Sequence, residues 1–241
     1  MTYCVGLLLN DGMVLLSDTR TNAGLDNIAT YRKMFTFEDP GERVIVILAA
    51  GSLSITQTTI AQLREAIDDP EAAPETSIML APTLLKVAEV VGETLGRVRR
   101  SVDDKLATMR QGASASLIVA GQRKDGAMRM FLVYPEGNFI EATEDTPFLQ
   151  IGEHKYGKPI LDRVVRPSTS LDDAQKAVLL SMDSTLRSNL SVGMPLDLAV
   201  IRAGECRVGH TRRFEAGDAD FTRISKAWSK ALRESFLKIR I

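Results

Sequence analysis

The chain has 241 residues, 44% of them apolar and 25% charged, which is the range of an ordinary folded protein able to bury a sizeable core. Thirty lysines and arginines against 31 aspartates and glutamates leave a formal net charge of −1, so charge gives no footprint for nucleic acid. No apolar run reaches membrane-spanning length and no basic segment with an apolar leader opens the chain, so no membrane partner is expected and the expected compartment is the cytoplasm.

Residues 3–9 and 12–17 read as a strand pair joined by a short Asn-Asp-Gly turn. Residues 18–30 are polar and turn-rich and are predicted as a loop. A loosely alternating strand is predicted over 31–37, with Lys33 on it. The β-branched run 43–50 (RVIVILAA) fits a strand buried on both faces. Ser52 or Ser54 is placed to cap a helix running to about residue 67. The acid- and proline-rich segment 68–82 is a connection. Leu84, Leu85, Val87, Ala88, Val91, Leu95 and Val98 recur at helical spacing, predicting a helix over 83–109. Strands are predicted at 113–120, 128–134, 139–142 and 148–151, helices at 154–163 and 171–189, a strand pair at 196–202 and 205–210, and a last, basic helix at 219–238.

Strands, two helices, strands, two helices, strands and a helix, in that order, suit two antiparallel sheets held between helical layers. No Gly/Ser- or Pro-rich linker divides the chain, which reads as one domain over 1–241 with a C-terminal helical extension at 219–241. That last helix carries Phe221, Ile224, Trp228, Leu232 and Phe236 as a stripe at three-to-four spacing and a basic opposite face.

The chemistry begins at the start of the chain. Removing Met1 would make Thr2 the terminal residue, with a hydroxyl nucleophile and its own amine as base on one residue. The apolar stretch 3–9 starts a strand at once, so the terminus would be held in the fold rather than fraying. The rival metal and histidine chemistries have little to work with. There are two histidines, His154 and His210, and two cysteines, Cys4 and Cys206, that lie far apart without ligand spacing and are expected as reduced thiols.

Thr2, the following strand, the Asn10-Asp11-Gly12 turn, then Asp18, Arg20, Gly24 and Lys33 form a specific series. Further along come Ala49-Ala50-Gly51, Ile151-Gly152, Tyr156-Gly157 and Gly193-x-x-x-Asp197. This set resembles proteasome β-subunits and their bacterial relatives over nearly the whole chain. The opening Met-Thr-Tyr-Cys-Val, the run from Met182 to Pro195 and the C-terminal extension are most similar to the Anbu family, the bacterial proteasome homologues also described as ancestral β-subunits.

The resemblance implies a four-layer αββα sandwich of the N-terminal-nucleophile hydrolase class, within α+β. It implies a threonine-type peptidase acting on peptide or unfolded protein, with no metal or organic cofactor. Thr2 would attack, the ammonium of Lys33 would favour the deprotonated amine, and Asp18 would hold Lys33 charged and in place. The backbone N–H at Gly51 would face the developing oxyanion, and Thr21 and Asn22 would offer backbone groups to an extended peptide. Arg32 and Lys33 point to opposite faces of an extended segment, and alternation does not decide which faces the site.

One residue fewer than usual separates Thr2 from this lysine, which a deletion within 18–30 accounts for. The sequence departs from proteasome β-subunits at Gly137-Asn138, where a Gly-Ser pair is expected, and at 188–193. There Ser188, Asn189 or Ser191 is left to support the Thr2 amine, and Ser191 is the serine expected to reach it. The family also implies self-association into a homo-oligomeric ring or spiral; an ATPase partner is not specified. Two other readings stay open: an amidase on small non-peptide amides, and a structural subunit whose N-terminus stays masked.

Overall fold

The computed structural model describes residues 2–22, 28–106 and 113–240. Strands β1 (Tyr3–Leu9) and β2 (Gly12–Asp18) pair antiparallel across the Asn10-Asp11 turn. They form the centre of a five-stranded sheet with β10 (Phe148–Gly152), β11 (Leu196–Arg202) and β12 (His210–Phe214), in the order β10-β1-β2-β11-β12. A second five-stranded sheet runs in sequence order through β5 (Met34–Asp39), β6 (Arg43–Gly51), β7 (Ala115–Arg123), β8 (Arg129–Val133) and β9 (Phe139–Glu141). Five helices complete the described fold: α1 (Leu53–Asp68), α2 (Leu84–Leu106), α3 (Lys158–Val164), α4 (Leu171–Ser188) and α5 (Ala219–Lys238).

The period-two alternation of the strands sorts their side chains into layers. On β1 and β2, Tyr3, Val5, Leu7, Val14 and Leu16 face Leu161 of α3 and Ala174, Val178 and Met182 of α4. Cys4, Met13 and Leu15 face the other way, onto Val44, Val46, Leu48, Ile118 and Ala120 of the second sheet. Ile45, Ile47 and Ala49 meet Ile55, Ile60, Val87, Val91 and Leu95 of α1 and α2. Strand β6 is therefore apolar at nearly every position because both its faces are covered. The result is the expected four layers: helices, sheet, sheet, helices. Both cysteines are free and buried.

Four local expectations are corrected. Within 18–30 the chain forms a two-stranded ribbon, β3 (Arg20–Asn22) against β4 (Ile28–Thr30), rather than only a loop. Lys33 lies just before β5 and not on a strand beginning at residue 31, so strand alternation does not govern it. The last strand is His210–Phe214 rather than 205–210. It is a polar strand, carried by pairing with β11 and by Phe214 packing on Phe221, centroids 6.2 Å apart. The Ser52 hydroxyl lies 3.0 Å from that of Ser54 instead of capping α1. The end of the helix predicted over 83–109 falls partly outside the described residues, as does Gly24.

Candidate active site

Asp18 ends β2, fully buried, and its carboxylate gathers three donors from three parts of the chain. Oδ1 accepts from Lys33 Nζ at 2.9 Å and from the backbone N–H of Tyr3 at 3.1 Å. Oδ2 accepts from the backbone N–H of Gly193 at 3.3 Å. Burial pushes the Asp18 carboxyl up from its ordinary value, against the downward pull of Lys33 and of these two N–H groups. Lys33 is buried as well, and its ammonium donates a second bond, to the carbonyl of Arg20 at 2.5 Å. The lysine is thereby held by β2 and β3 together, although its own backbone belongs to neither.

Thr2 precedes β1 directly. Its carbonyl accepts from the backbone N–H of Glu153 at 2.7 Å, beyond the end of β10. Tyr3 anchors the same strand end from the other side. Its hydroxyl lies 2.6 Å from Ser181 Oγ on α4 and accepts from Gln150 Nε2 at 2.6 Å. The first two described residues are thus tied to β10, to α4 and, through Asp18, to the lysine.

Thr2 and Lys33 line one cleft of about 320 Å³, with Thr21, Arg32, Ala49, Ala50, Gly51, Ser52, Leu53 and Thr56. Gly51 closes β6 with φ +110°, a conformation that favours glycine, and a Cβ there would stand 2.3 Å from the carbonyl oxygen of Ser114. The geometry therefore brings Thr2, Asp18, Lys33, Gly51 and Thr21 together. Asn22 sits beside Thr21 on β3, paired through its backbone position with Ile28. Arg32 is exposed on the cleft wall whereas Lys33 is buried, so the ion pair falls to Lys33.

Ser191 does not line the cleft among the described residues. It lies in the turn after α4, where its N–H bonds Asn189 Oδ1 at 2.9 Å. That turn reaches the site through its backbone instead. Gly193 donates to Asp18, and the Leu190 carbonyl accepts from Arg20 Nη1 at 3.0 Å. The Arg20 guanidinium packs so closely on Gly193 that a Cβ there would stand 2.2 Å from Nε. The roles of Tyr3, Gly152 and Gly193 were not read from the sequence. Glycine at 152 and 193 was the available signal, since each marks a place where backbone comes close to another group.

This fold and this constellation define a class, the N-terminal-nucleophile architecture of proteasome subunits. A family model described as Proteasome subunit matches residues 2–201, so the chain belongs to the proteasome-subunit family. Within it, the structure is similar to a Gly-1 mutant of Anbu from Hyphomicrobium sp. strain MC1, at 47% identity and a TM-score of 0.93, covering 100% of this chain and 99% of that one. It is similar to Anbu, the ancestral beta-subunit, from Yersinia bercovieri at 40% identity and a TM-score of 0.91, covering 99% and 98%. It is also similar to a chain from the helical assembly of the Anbu complex of Pseudomonas aeruginosa, at 44% identity and a TM-score of 0.92, covering 99% and 97%. Comparison with curated proteins returned no match. Among the described residues, no helix is long and apolar enough to cross a membrane.

Proposed function

We propose that this chain is a threonine-type peptidase whose nucleophile is Thr2, exposed by loss of Met1. The observation that carries this reading is the buried Lys33–Asp18 pair, 2.9 Å apart, whose lysine shares a cleft with Thr2. A buried ion pair is a weak source of stability, so its place beside a hydroxyl at the chain start argues for a catalytic use.

The Thr2 hydroxyl forms a bond to the peptide carbonyl carbon as its proton passes to the Thr2 amine. The tetrahedral oxyanion is stabilised by the N–H at Gly51. The carbon–nitrogen bond then breaks and the proton on the amine goes to the leaving amine, leaving a threonyl ester. Water, deprotonated by the same amine, cleaves the ester and restores the hydroxyl. Lys33 supplies positive charge that keeps the amine unprotonated between steps, and Asp18 holds Lys33. Thr21 and Asn22 pair with the peptide backbone. The turn that carries Ser191 acts through its backbone, the Gly193 N–H helping to hold Asp18. The test is labelling with a threonine-directed electrophile: the Thr2→Ala chain should take up none and hydrolyse nothing while keeping its fold and assembly.

The chain also self-associates, in this reading, through α5. Among the described residues, Phe221 and Ile224 of that helix pack on the core beside α4, and Trp228 is half-buried. Leu232, Phe236, Leu237 and Ile239 are 50–73% exposed, an apolar face of the kind that marks an interface. The helical assembly of the P. aeruginosa relative supports a second copy as the occupant, in a ring or spiral.

A further inference from the structure

Arg32 stands where two hollows meet. It lines the cleft that holds Thr2, and it lines a groove of about 280 Å³ running over the edge strands β5 and β12 with Met34, Thr36, Asp197, Thr211 and Arg213. The charges around it are unevenly committed. Lys33 is buried against Asp18 and the Arg20 carbonyl. Arg213 is held by Asp197 at 3.4 Å and by Glu215 at 3.1 Å. Arg212, at the far end of the groove, is held by Asp218 and Asp220 at 3.1 and 2.9 Å. Arg32 is exposed, and among the described residues no carboxylate forms an ion pair with it; Asp197 feels its charge only at longer range. No acidic residue is among the described residues lining the Thr2 cleft. Its floor is Ala49, Ala50 and Gly51, small enough to leave the volume beside Arg32 open.

A guanidinium presents a planar fork of donors that matches a carboxylate in two parallel hydrogen bonds. A cleft with one uncommitted arginine and no acid therefore favours a carboxylate and disfavours a lysine or arginine side chain, which would add like charge. We propose that Arg32 is the specificity-determining residue of this site, selecting peptides that place a carboxylate in the Thr2 cleft. This rests on the reading of that cleft as the peptide site. The carboxylate comes from an aspartate or glutamate side chain or from the free end of a peptide, and both offer the same two oxygens to the fork.

Binding of fluorescent peptides, followed by anisotropy on the Thr2→Ala chain so that nothing is cleaved, tests the inference. The peptides carry glutamate, glutamine or lysine at one position with an amidated end; a further glutamine peptide has a free carboxylate. The glutamate peptide, the free-ended peptide or both should bind at least tenfold more tightly than the amidated glutamine peptide, and the lysine peptide more weakly than either. Arg32→Gln should flatten these differences, and Arg32→Glu should reverse the order of glutamate and lysine while leaving the unfolding temperature unchanged. Which of the two carboxylate peptides gains identifies the source. Equal affinities in the parent chain, a preference surviving Arg32→Glu, or no binding of either carboxylate peptide at millimolar concentration would overturn the proposal. Failure of Thr2 to react with an electrophile is a separate result: it removes the nucleophile and leaves an Arg32-dependent preference standing.

Discussion

A Cβ on Gly152 would stand 1.9 Å from the carbonyl oxygen of Thr2. With φ +80°, Gly152 occupies backbone space that side chains rarely adopt, and the N–H of the next residue, Glu153, bonds that same carbonyl at 2.7 Å. The end of β10 thus fixes Thr2 through close approach of backbone to backbone.

Gly152→Ala should therefore push Thr2 out of line with Lys33. We expect loss of electrophile labelling at Thr2 by at least tenfold with the overall fold retained, read by mass spectrometry and circular dichroism together. Labelling at the parent rate would show that this contact does not position the nucleophile.

Lys33→Ala leaves Asp18 buried without its main countercharge. Removing one partner of a buried pair commonly costs about 3–5 kcal/mol, and removing a charge that acts at the reacting centre costs about 10²–10³-fold in rate. The variant should lose both denaturant stability and Thr2 reactivity. Lys33→Met with Asp18→Asn should restore the stability and leave the reactivity lost. Chemical denaturation and labelling rates, measured on both variants, check this.

Asp18 gives two opposite trends with pH. Burial pushes its carboxyl above the ordinary value of 3.8. Between 3.8 and the raised value the folded chain keeps a proton that the unfolded chain releases, so the Asp18 contribution to stability falls as pH rises through that window. Reactivity should rise across the same window, because only the carboxylate fixes a charged Lys33. The denaturation midpoint of the parent relative to Asp18→Asn, followed from pH 3 upwards beside the labelling rate, should show the two trends crossing.

Tyr3 contributes at the alkaline end. Burial pushes its hydroxyl from 10.0 up to about 12, against the opposing pull of Ser181 and Gln150. The folded chain keeps that proton while the unfolded chain releases it, so stability falls as pH rises from 10 to about 12. Tyr3→Phe should reduce the alkaline slope, the buried Cys4 thiol, which burial also pushes up, carrying the rest, and should cost about 1 kcal/mol at neutral pH through the lost hydrogen bonds, measured by denaturation at neutral and alkaline pH.

The side chains that meet at the candidate site were in part legible from the sequence, Ser191 being the exception. Thr2, Asp18 and Lys33 have the residue types that a nucleophile, an orienting acid and a countercharge require, and β6 announces its burial through an unbroken apolar run. What escaped is what residue type does not encode. The N–H of Tyr3 and that of Gly193, which hold Asp18, belong to any residue at those positions. Strands β3 and β4 span three residues each, too short for alternation to register. Strand β12 is carried by Arg212, its guanidinium 4.4 Å over the Phe214 ring, and by ladder pairing, while the more apolar stretch before it, around Val208, drew the expectation away.

Deleting residues after Asp218 tests α5 as an assembly element. The truncated chain should remain folded and show a smaller particle mass in light scattering. Retention of the full assembly mass would contradict the assignment, as would insolubility caused by loss of Phe221 from the core.

In the proposed mechanism the Thr2 amine is the base for its own hydroxyl. Intact-mass measurement after exposure to a threonine-directed electrophile, on Met1-free and Met1-retaining preparations of the same chain, tests it most directly. One adduct is expected, at Thr2, in the Met1-free preparation and none when Met1 acylates the Thr2 nitrogen. Equal adduct formation in the two preparations would contradict it.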